Sequence, residues 1–277
     1  MTDELGQLIG QGVTAEIYAW GEDRVLKLFF PSWPRITVEA EAQAATVAHE
    51  AGVPTPSVGE TIEVDGRYGI VFERVDGPSM TEQVVRHPWQ LRRAARQSAE
   101  LHAGIHACKV PQLISLKDEV RWNVEPTDLL DADVKGGILR RLERLPDGDS
   151  LFHGDFYPNN VMMSPRGPLA IDWSAGRRAD PLADVARTWQ LIRMSIPLAL
   201  AKMKDGRLIA VFMAAYYRLY LRRYRQLRPF ADEEMAAWKM PMVALRLVRD
   251  EDILFPGERQ RLTRYIAKAV HATADGG

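Results

Sequence analysis

The sequence predicts an α+β fold, with a β-rich front end followed by a longer α-helical body. Three observations carry this. Early in the chain, three short aliphatic and aromatic runs are broken by Gly10, Gly12 and Gly21, the pattern of strands joined by tight turns. From Leu91 onward, most segments space their apolar residues three and four apart, the period of a helix with one buried face. At 277 residues and 46% hydrophobic, the chain is long enough for one large domain or two lobes.

The elements follow in order. Strands are expected over Leu5 to Gly10, Ala15 to Trp20 and Arg24 to Phe30, with a hairpin turn at Gly21-Glu22-Asp23. Pro31 and Pro34 stop the third strand. Val38 to Ala51 is rich in Ala and Glu and should be helical, ending at Gly52 with Pro54 just beyond. Two more strands, Ser57 to Val64 and Tyr68 to Glu73, flank an Asp65-Gly66 turn. Arg74 to Pro78 reads as a connector. Leu91 to Ala107 and Leu129 to Leu145 read as helices, and Val110 to Pro126 between them has no clear period. Two short apolar runs around Ser164-Pro165-Arg166-Gly167 interrupt the helical pattern between Leu151 and Ile171. Further helices are expected over Pro181 to Met194, Leu208 to Leu227, Asp232 to Val248 and Glu258 to Val270.

The bulk numbers exclude several classes. A net charge of −1 gives no global attraction to nucleic acid. The single thiol, Cys108, rules out an internal disulfide and any Cys-based zinc site, and fits a reducing compartment. Met1-Thr2-Asp3-Glu4 is acidic and has no apolar signal core. The longest apolar run, Leu208 to Tyr217, is about half a membrane span. The expectation is a soluble cytoplasmic protein with neither membrane nor nucleic-acid partner. Tyr216 to Arg225 is basic and aromatic, but Tyr217, Tyr220 and Tyr224 recur at helical spacing with arginines between them. A buried aromatic stripe with a solvated basic face explains this better than a nucleic-acid site.

The chemistry concentrates in Leu151-Phe152-His153-Gly154-Asp155-Phe156-Tyr157-Pro158-Asn159-Asn160-Val161 and in Ile171-Asp172-Trp173. Pro158 argues against a helix here, so Asp155 and Asn160 fit a loop that folds back on itself. Asp155 can accept the hydrogen bond of a substrate hydroxyl, and Asn160 offers a neutral oxygen to Mg²⁺. Asp172 follows the apolar run Leu169-Ala170-Ile171, so a strand delivers its carboxylate to a strand end, where it can bridge metal and phosphate. Each residue alone usually marks a turn. Together they form the set that phosphoryl transfer from a nucleotide needs.

The front end adds candidates. Gly10 and Gly12 lie between two strands, where glycine lets a backbone approach phosphates or simply turns a hairpin. Lys27, inside Val25-Leu26-Lys27-Leu28-Phe29, either faces solvent or places its ammonium on the α- and β-phosphates. Glu39 and Glu41 are two apart on the following helix, so only one of them can reach it. His102 and His106 stand four apart on a helix, but no His-Glu-x-x-His motif accompanies them, which favours structural histidines. The chain has no Gly-x-Ser-x-Gly elbow and no Gly-Lys-Ser/Thr loop.

Taken in order, Gly-x-Gly-x-x-Ala-Glu-Ile-Tyr, Val-Leu-Lys-Leu, Ala-Gly-Val-Pro-Thr-Pro, His-Gly-Asp-x-x-Pro-x-Asn and Ile-Asp-Trp resemble the aminoglycoside phosphotransferase and choline kinase superfamily. Asp180-Pro181-Leu182-Ala183-Asp184-Val185-Ala186-Arg187-Thr188 adds to the match, which covers about residues 5 to 190. The resemblance implies a protein-kinase-like two-lobed fold, with a nucleotide-binding lobe over residues 1–75 and a catalytic, substrate-binding lobe over residues 76–277. It implies Asp155 as catalytic carboxylate, Asn160 and Asp172 as Mg²⁺ ligands, and Lys27 as the phosphate-binding lysine. It selects Glu41 as the partner of Lys27. It makes Val71 to Val75 a hinge whose backbone at Glu73 and Val75 holds the adenine edge of ATP, or the base of GTP. His153 would support the catalytic loop, and Asp184 would be a structural acid behind it.

The expected acceptor is a hydroxyl of a small polar molecule, with an aminoglycoside-like compound ranked first. A choline-, thiamine- or homoserine-type metabolite is the alternative, as is a catalytically silent nucleotide-binding regulator of the same fold. A cationic acceptor calls for acids such as Asp250-Glu251-Asp252 or Asp128, Asp131 and Asp133. A quaternary ammonium calls for an aromatic cage, with Trp122, Trp189, Tyr216 and Trp238 as candidates.

Overall fold

The computed structural model describes residues 5–201 and 205–274, so the acidic Met1-Thr2-Asp3-Glu4 start lies outside the described residues. Its first part is an antiparallel sheet of β1 (Leu5–Gln11), β2 (Ala15–Trp20), β3 (Arg24–Phe29), β4 (Val58–Val64) and β5 (Arg67–Glu73), in the order β1-β2-β3-β5-β4. Side chains alternate across a strand. Leu26, Leu28 and Val71 therefore pack on one face, and Phe29 and Ile70 pack with Ala15 and Val38 in a second cluster. Val38 belongs to α1 (Arg35–Glu50), which crosses between β3 and β4. The same helix sends Ala44, Ala45 and Ala48 into the core of the larger part, so small residues bring the two parts together at α1.

The larger part is mainly helical. It comprises α2 (Met80–Arg86), α3 (Leu91–Ile105), α4 (Leu116–Val124), α5 (Ala132–Arg144), α6 (Pro181–Gln190), α7 (Ile196–Leu200), α8 (Gly206–Leu227), α9 (Asp232–Arg249) and α10 (Glu258–Ala274). Short strands interrupt it: β6 (Ser150–Phe152) pairs with β9 (Arg177–Ala179), and β7 (Val161–Ser164) pairs with β8 (Gly167–Ala170). This is the kinase-like arrangement of a small sheet lobe and a larger helical part. No helix among the described residues is long and apolar enough to cross a membrane.

Several boundaries differ from expectation, each for a local reason. The unassigned stretch before Pro126 contains α4, whose Leu116, Val120 and Val124 are buried at helical spacing. The segment Ser79 to Glu82 is a capping box that starts α2: the Ser79 hydroxyl accepts from the Glu82 amide, and the Glu82 carboxylate accepts from the Ser79 amide at 2.7 Å. Helix α5 starts at Ala132, because the Asp131 side chain caps it by accepting from the Val134 amide.

The helix expected to Met194 stays α-helical only to Gln190, and Leu191–Ser195 forms a π turn. Pro197 lacks an N–H and cannot bond the Arg193 carbonyl four residues back; the Arg261 guanidinium donates to that carbonyl instead, at 2.9 Å.

The connector Arg74 to Pro78 is more than a linker. The Met163 amide donates to the Pro78 carbonyl at 2.9 Å, which pins the connector to β7. Gly77 has φ +143°, and a Cβ there would sit 2.0 Å from the Met163 carbonyl oxygen, so only glycine fits. The stretch Val53-Pro54-Thr55 does the same from the other side. Pro54 accepts from the Ala170 amide at 2.8 Å, and the Thr55 hydroxyl donates to the Ala170 carbonyl at 2.8 Å. The β7–β8 hairpin is thus held by the α1–β4 loop of the small lobe and by the connector that leaves it.

Candidate active site

β3 delivers Lys27 to the interior, and the residue is 9% exposed. Its ammonium donates to Glu41 Oε1 at 2.6 Å and to Asp172 Oδ1 at 3.0 Å. Glu41 is buried on the inner face of α1, whereas Glu39 faces out and pairs with Arg35. The choice between the two glutamates is therefore geometric. Burial alone would lower the Lys27 ammonium, but the carboxylates of Asp172 and Glu41 outweigh it and hold it well above its ordinary value. Burial pushes the Glu41 carboxyl up to about 7, with Lys27 opposing, and its second oxygen has no hydrogen-bond partner. Lys27 holds Asp172 below the usual range against the effect of burial.

Asp172 follows β8 and adopts φ +67°, a left-handed conformation that costs a non-glycine residue on the order of 1–3 kcal/mol. Neighbours on both sides hold it there. The Ile171 amide donates to the Asn160 carbonyl at 3.0 Å. Trp173 is almost fully buried, and its indole donates to the Thr55 hydroxyl at 3.0 Å.

Asp155 lies on the loop after β6, and a 3₁₀ turn over Pro158–Asn160 folds the chain back. The Asn160 amide nitrogen donates to the Asp155 carboxylate at 2.7 Å and to the Asp155 carbonyl at 2.9 Å. With its Nδ2 committed, Asn160 turns its side-chain oxygen away from Asp155. Burial and the nearby Asp172 raise the Asp155 carboxyl, opposed by Arg187, His153 and the Asn160 amide.

The loop is backed by a polar cluster between α3, α6 and α8. Asp184 accepts from the amides of His153 at 2.5 Å and Gly154 at 3.0 Å. The Nε2 atoms of His102 and His106 lie 3.1 Å and 3.3 Å from its Oδ2. Tyr220 and Tyr224 on α8 each meet the Nδ1 of His102 and His106 respectively at 2.6 Å. The ligand atoms of His102, His106 and Asp184 lie within 4.8 Å of one another. A neutral His106 ring with its proton on Nε2 bonds Asp184, whereas His102 Nε2 lies 3.1 Å from the same oxygen without a well-aligned hydrogen bond. His153 is tied to the same region, its Nε2 meeting the Ile171 carbonyl at 3.1 Å.

This cluster predicts acid lability. Burial pushes the His102 imidazole down to about 3, with the neighbouring His106 acting the same way, and lowers His106 as well. Burial alone would raise Asp184, but the two imidazoles hold it well below its usual range. Both rings stay neutral in the folded chain, whereas the unfolded chain protonates them below about 6.5. Their contribution is complete above that pH and is lost as the pH falls below it, for His102 down toward about 3. For His102 alone the loss is about 1.4 kcal/mol per pH unit. Denaturant unfolding at pH 7, 6 and 5 should show this fall, and equal stability at all three would contradict it.

The remaining candidates sit apart from this centre. Gly10 and Gly12 border the exposed loop between β1 and β2, where the Gly12 amide donates to the Ala15 carbonyl at 2.8 Å. Glu73 ends β5. Its amide donates to the Ser57 carbonyl at 3.0 Å, while the Ser57 amide turns to the Glu73 carboxylate at 3.1 Å. The Glu73 carbonyl is thus left without the Ser57 donor that regular ladder pairing would give it. The Glu73 carboxylate also pairs with Arg166 at the tip of the β7–β8 hairpin. Val75 lies two residues beyond in the connector.

The proposed acceptor residues do not assemble. Asp250 is not free for a cation, because Arg187, Arg246 and Arg249 all bond its carboxylate. Glu251 pairs with Arg259, and Asp131 caps α5. Tyr216 and Trp238 are buried in different core clusters, and Trp122 is exposed on α4, so the aromatic cage does not form.

Sequence reasoning missed Arg187. Its signals were its place in the Asp180 to Thr188 motif and its position three residues after Asp184, one turn along the same helix face.

A family model described as the phosphotransferase enzyme family matches residues 6–238. No curated protein matches the chain by sequence. Among solved structures, the chain is similar to a thermostable mutant of the aminoglycoside phosphotransferase APH(4)-Ia, solved as a ternary complex with AMP-PNP and hygromycin B. The TM-score is 0.68 at 16% identity, over 96% of this chain and 92% of that one. A choline/ethanolamine kinase family protein from Mesorhizobium loti gives 0.58 at 19% identity, over 97% and 88%. An aminoglycoside-3'-phosphotransferase of type VIII gives 0.61 at 21% identity, over 87% and 93%. At these identities the likenesses establish the fold.

Proposed function

Because the chain belongs to the phosphotransferase enzyme family, we propose that it moves the γ-phosphate of ATP, or of GTP, to a hydroxyl of a small polar molecule. The observation that carries this is the convergence of Lys27, Glu41 and Asp172 beside the Asn160–Asp155 pair, from segments far apart in the chain. The residues fit a magnesium ion. Asn160 presents a neutral oxygen once its nitrogen is bonded to Asp155, and Asp172 keeps one carboxylate oxygen beyond the one that meets Lys27. Bound there, Mg²⁺ would neutralise phosphate charge.

The chain's own residues divide the work. Residues 1–75 hold the nucleotide and residues 76–277 carry the transfer machinery and the acceptor. Lys27, oriented by Glu41, takes the α- and β-phosphates. The Glu73 carbonyl and the Val75 amide meet the edge of the base, and the Gly10–Gly12 loop covers the phosphates. Asp155 accepts the hydrogen bond of the acceptor hydroxyl and aligns its oxygen with the γ-phosphorus; its raised pKa suits it to take the proton as the bond forms.

An aminoglycoside-like acceptor stays ahead of a choline-type one, because the aromatic residues a quaternary ammonium needs are dispersed. The exposed acids Asp128, Asp133 and Asp252 remain to attract a polycation.

The test is a panel of hydroxyl compounds with Mg-ATP, scored by acceptor-dependent ADP release. Release with at least one acceptor is the expected result. Nucleotide binding with no acceptor-dependent release across aminoglycosides, amino alcohols and sugars would favour the silent-regulator reading.

A further inference from the structure

The catalytic loop is gripped by more than Asp184. Helix α6 carries Asp184 and Arg187 one turn apart. Asp184 Oδ1 accepts from the Gly154 amide at 3.0 Å, and Arg187 Nε donates to the Gly154 carbonyl at 3.0 Å. Both polar groups of the residue before Asp155 are therefore held by one helix. Gly154 has φ +78°, and a Cβ on it would lie 2.5 Å from Phe152 and 2.6 Å from Ala175, so the loop has no slack there.

The Arg187 guanidinium is itself fixed by a closed ring of bonds. Its Nη1 donates to Gln190 at 2.6 Å, and the Gln190 amide donates to the Ser195 hydroxyl at 2.6 Å. Ser195 donates to Glu258, which accepts from Arg246 Nε at 3.0 Å. Arg246 Nη1 reaches Asp250 at 3.2 Å, and Asp250 returns to Arg187 Nη2 at 3.0 Å. The π turn matters here, because its wider winding brings residues five apart, Gln190 and Ser195, to one side. The ring spans α6, α9 and α10. Arg187 and Glu258 are almost wholly buried within it. A buried guanidinium with all three nitrogens bonded has one orientation.

We propose that Arg187 is a positioning residue for phosphoryl transfer: it sets the direction of Asp155 through the Gly154 carbonyl, and the ring through Glu258 locks it in that setting. The proposal rests on Asp155 being the residue that orients the acceptor hydroxyl. It assigns the packing of α9 and α10 a consequence at the catalytic loop, although neither helix contributes a residue to the transfer proposed above. Lysine cannot replace arginine fully, since a point charge on a flexible stem cannot bond Gly154, Gln190 and Asp250 at once.

The experiment compares Arg187→Met, Arg187→Lys, Glu258→Gln, the Arg187→Lys/Glu258→Gln double variant and Asp155→Asn. Each is followed by thermal unfolding, by Mg-AMP-PNP affinity and by turnover of ATP, using hydrolysis to water if no better acceptor is in hand. Arg187→Met should keep KM for ATP and AMP-PNP affinity within about threefold while kcat falls about 100-fold, the scale of a small misplacement. Arg187→Lys should recover part of that loss. Glu258→Gln, which touches neither Gly154 nor Asp155, should lower kcat about tenfold, and the double variant should lose less than the product of the single losses.

A kcat per folded molecule near wild type in Arg187→Lys and Glu258→Gln would overturn the proposal, as would losses that simply multiply. These two variants decide the matter even if Arg187→Met fails to fold. If Asp155→Asn turns over normally, the transfer reading itself has failed. If Asp155→Asn is inactive and the ring variants are not, only the role of Arg187 has.

Discussion

Asp155→Asn should lower the turnover number by about 100- to 10,000-fold, the usual contribution of a positioned acid or base, with Mg-ATP affinity close to wild type. The substitution is nearly isosteric. Asn160 can still donate to an oxygen at position 155, as it does now at 2.7 Å, so the loop need not move. What disappears is a group able to accept the hydroxyl proton as the new bond to phosphorus forms. Asp155 also sits close enough to Asp172 for the two carboxylates to raise its pKa, and the amide removes that repulsion. The folded state should therefore be no less stable, which separates lost chemistry from lost structure. Steady-state rates beside equilibrium binding of Mg-AMP-PNP decide it, and unchanged turnover would remove Asp155 from the proposed role.

Lys27→Ala should slow transfer by about 100- to 1,000-fold, the scale of losing one preorganised charge-stabilising donor. Unlike the first substitution it should also destabilise the fold. Lys27 is the cation between Glu41, 1% exposed, and Asp172. Removing one partner of a buried pair costs about 3–5 kcal/mol when the other stays charged. Glu41 has a way out, because burial already pushes its carboxyl up to about 7 and losing Lys27 raises it further.

The sign follows from the unfolded carboxyl, which ionises near 4.5. Below that value both states are protonated and the variant pays little. Up to about 7 the folded carboxyl resists ionisation in both proteins; above that, wild type ionises beside Lys27 while the variant still resists, so the gap between them grows. Urea unfolding of wild type and variant at pH 5 and pH 8 should show a larger gap at pH 8. A gap independent of pH would mean that losing Lys27 leaves the titration of Glu41 unchanged.

The strands and the central loop were legible because their signals are local. Pro31 and Gly52 terminate elements wherever they occur, and Asp65-Gly66 turns the β4–β5 hairpin by its own backbone preference. Asp155, Asn160 and Asp172 stood out because the loop and hairpin that join them are short enough for spacing to constrain where they meet. The capping box at Ser79 was equally local and was there to be read. The π turn was less so: Pro197 announced a break, but the carbonyl it orphans is filled by Arg261 from far along the chain.

Sequence alone determined the inventory: a lysine on a strand, two glutamates on the helix after it, and a loop and hairpin carrying Asp155, Asn160 and Asp172. Those follow from steric and hydrogen-bonding rules that act over a few residues. Packing decided the rest. It chose Glu41 over Glu39, closed Lys27 onto Asp172 across 145 positions, withdrew Asp250 into a nest of arginines and put Arg187 against Gly154. A buried charge persists only where its partners arrive from other elements, and which partners arrive depends on how helices and sheet fill the core together.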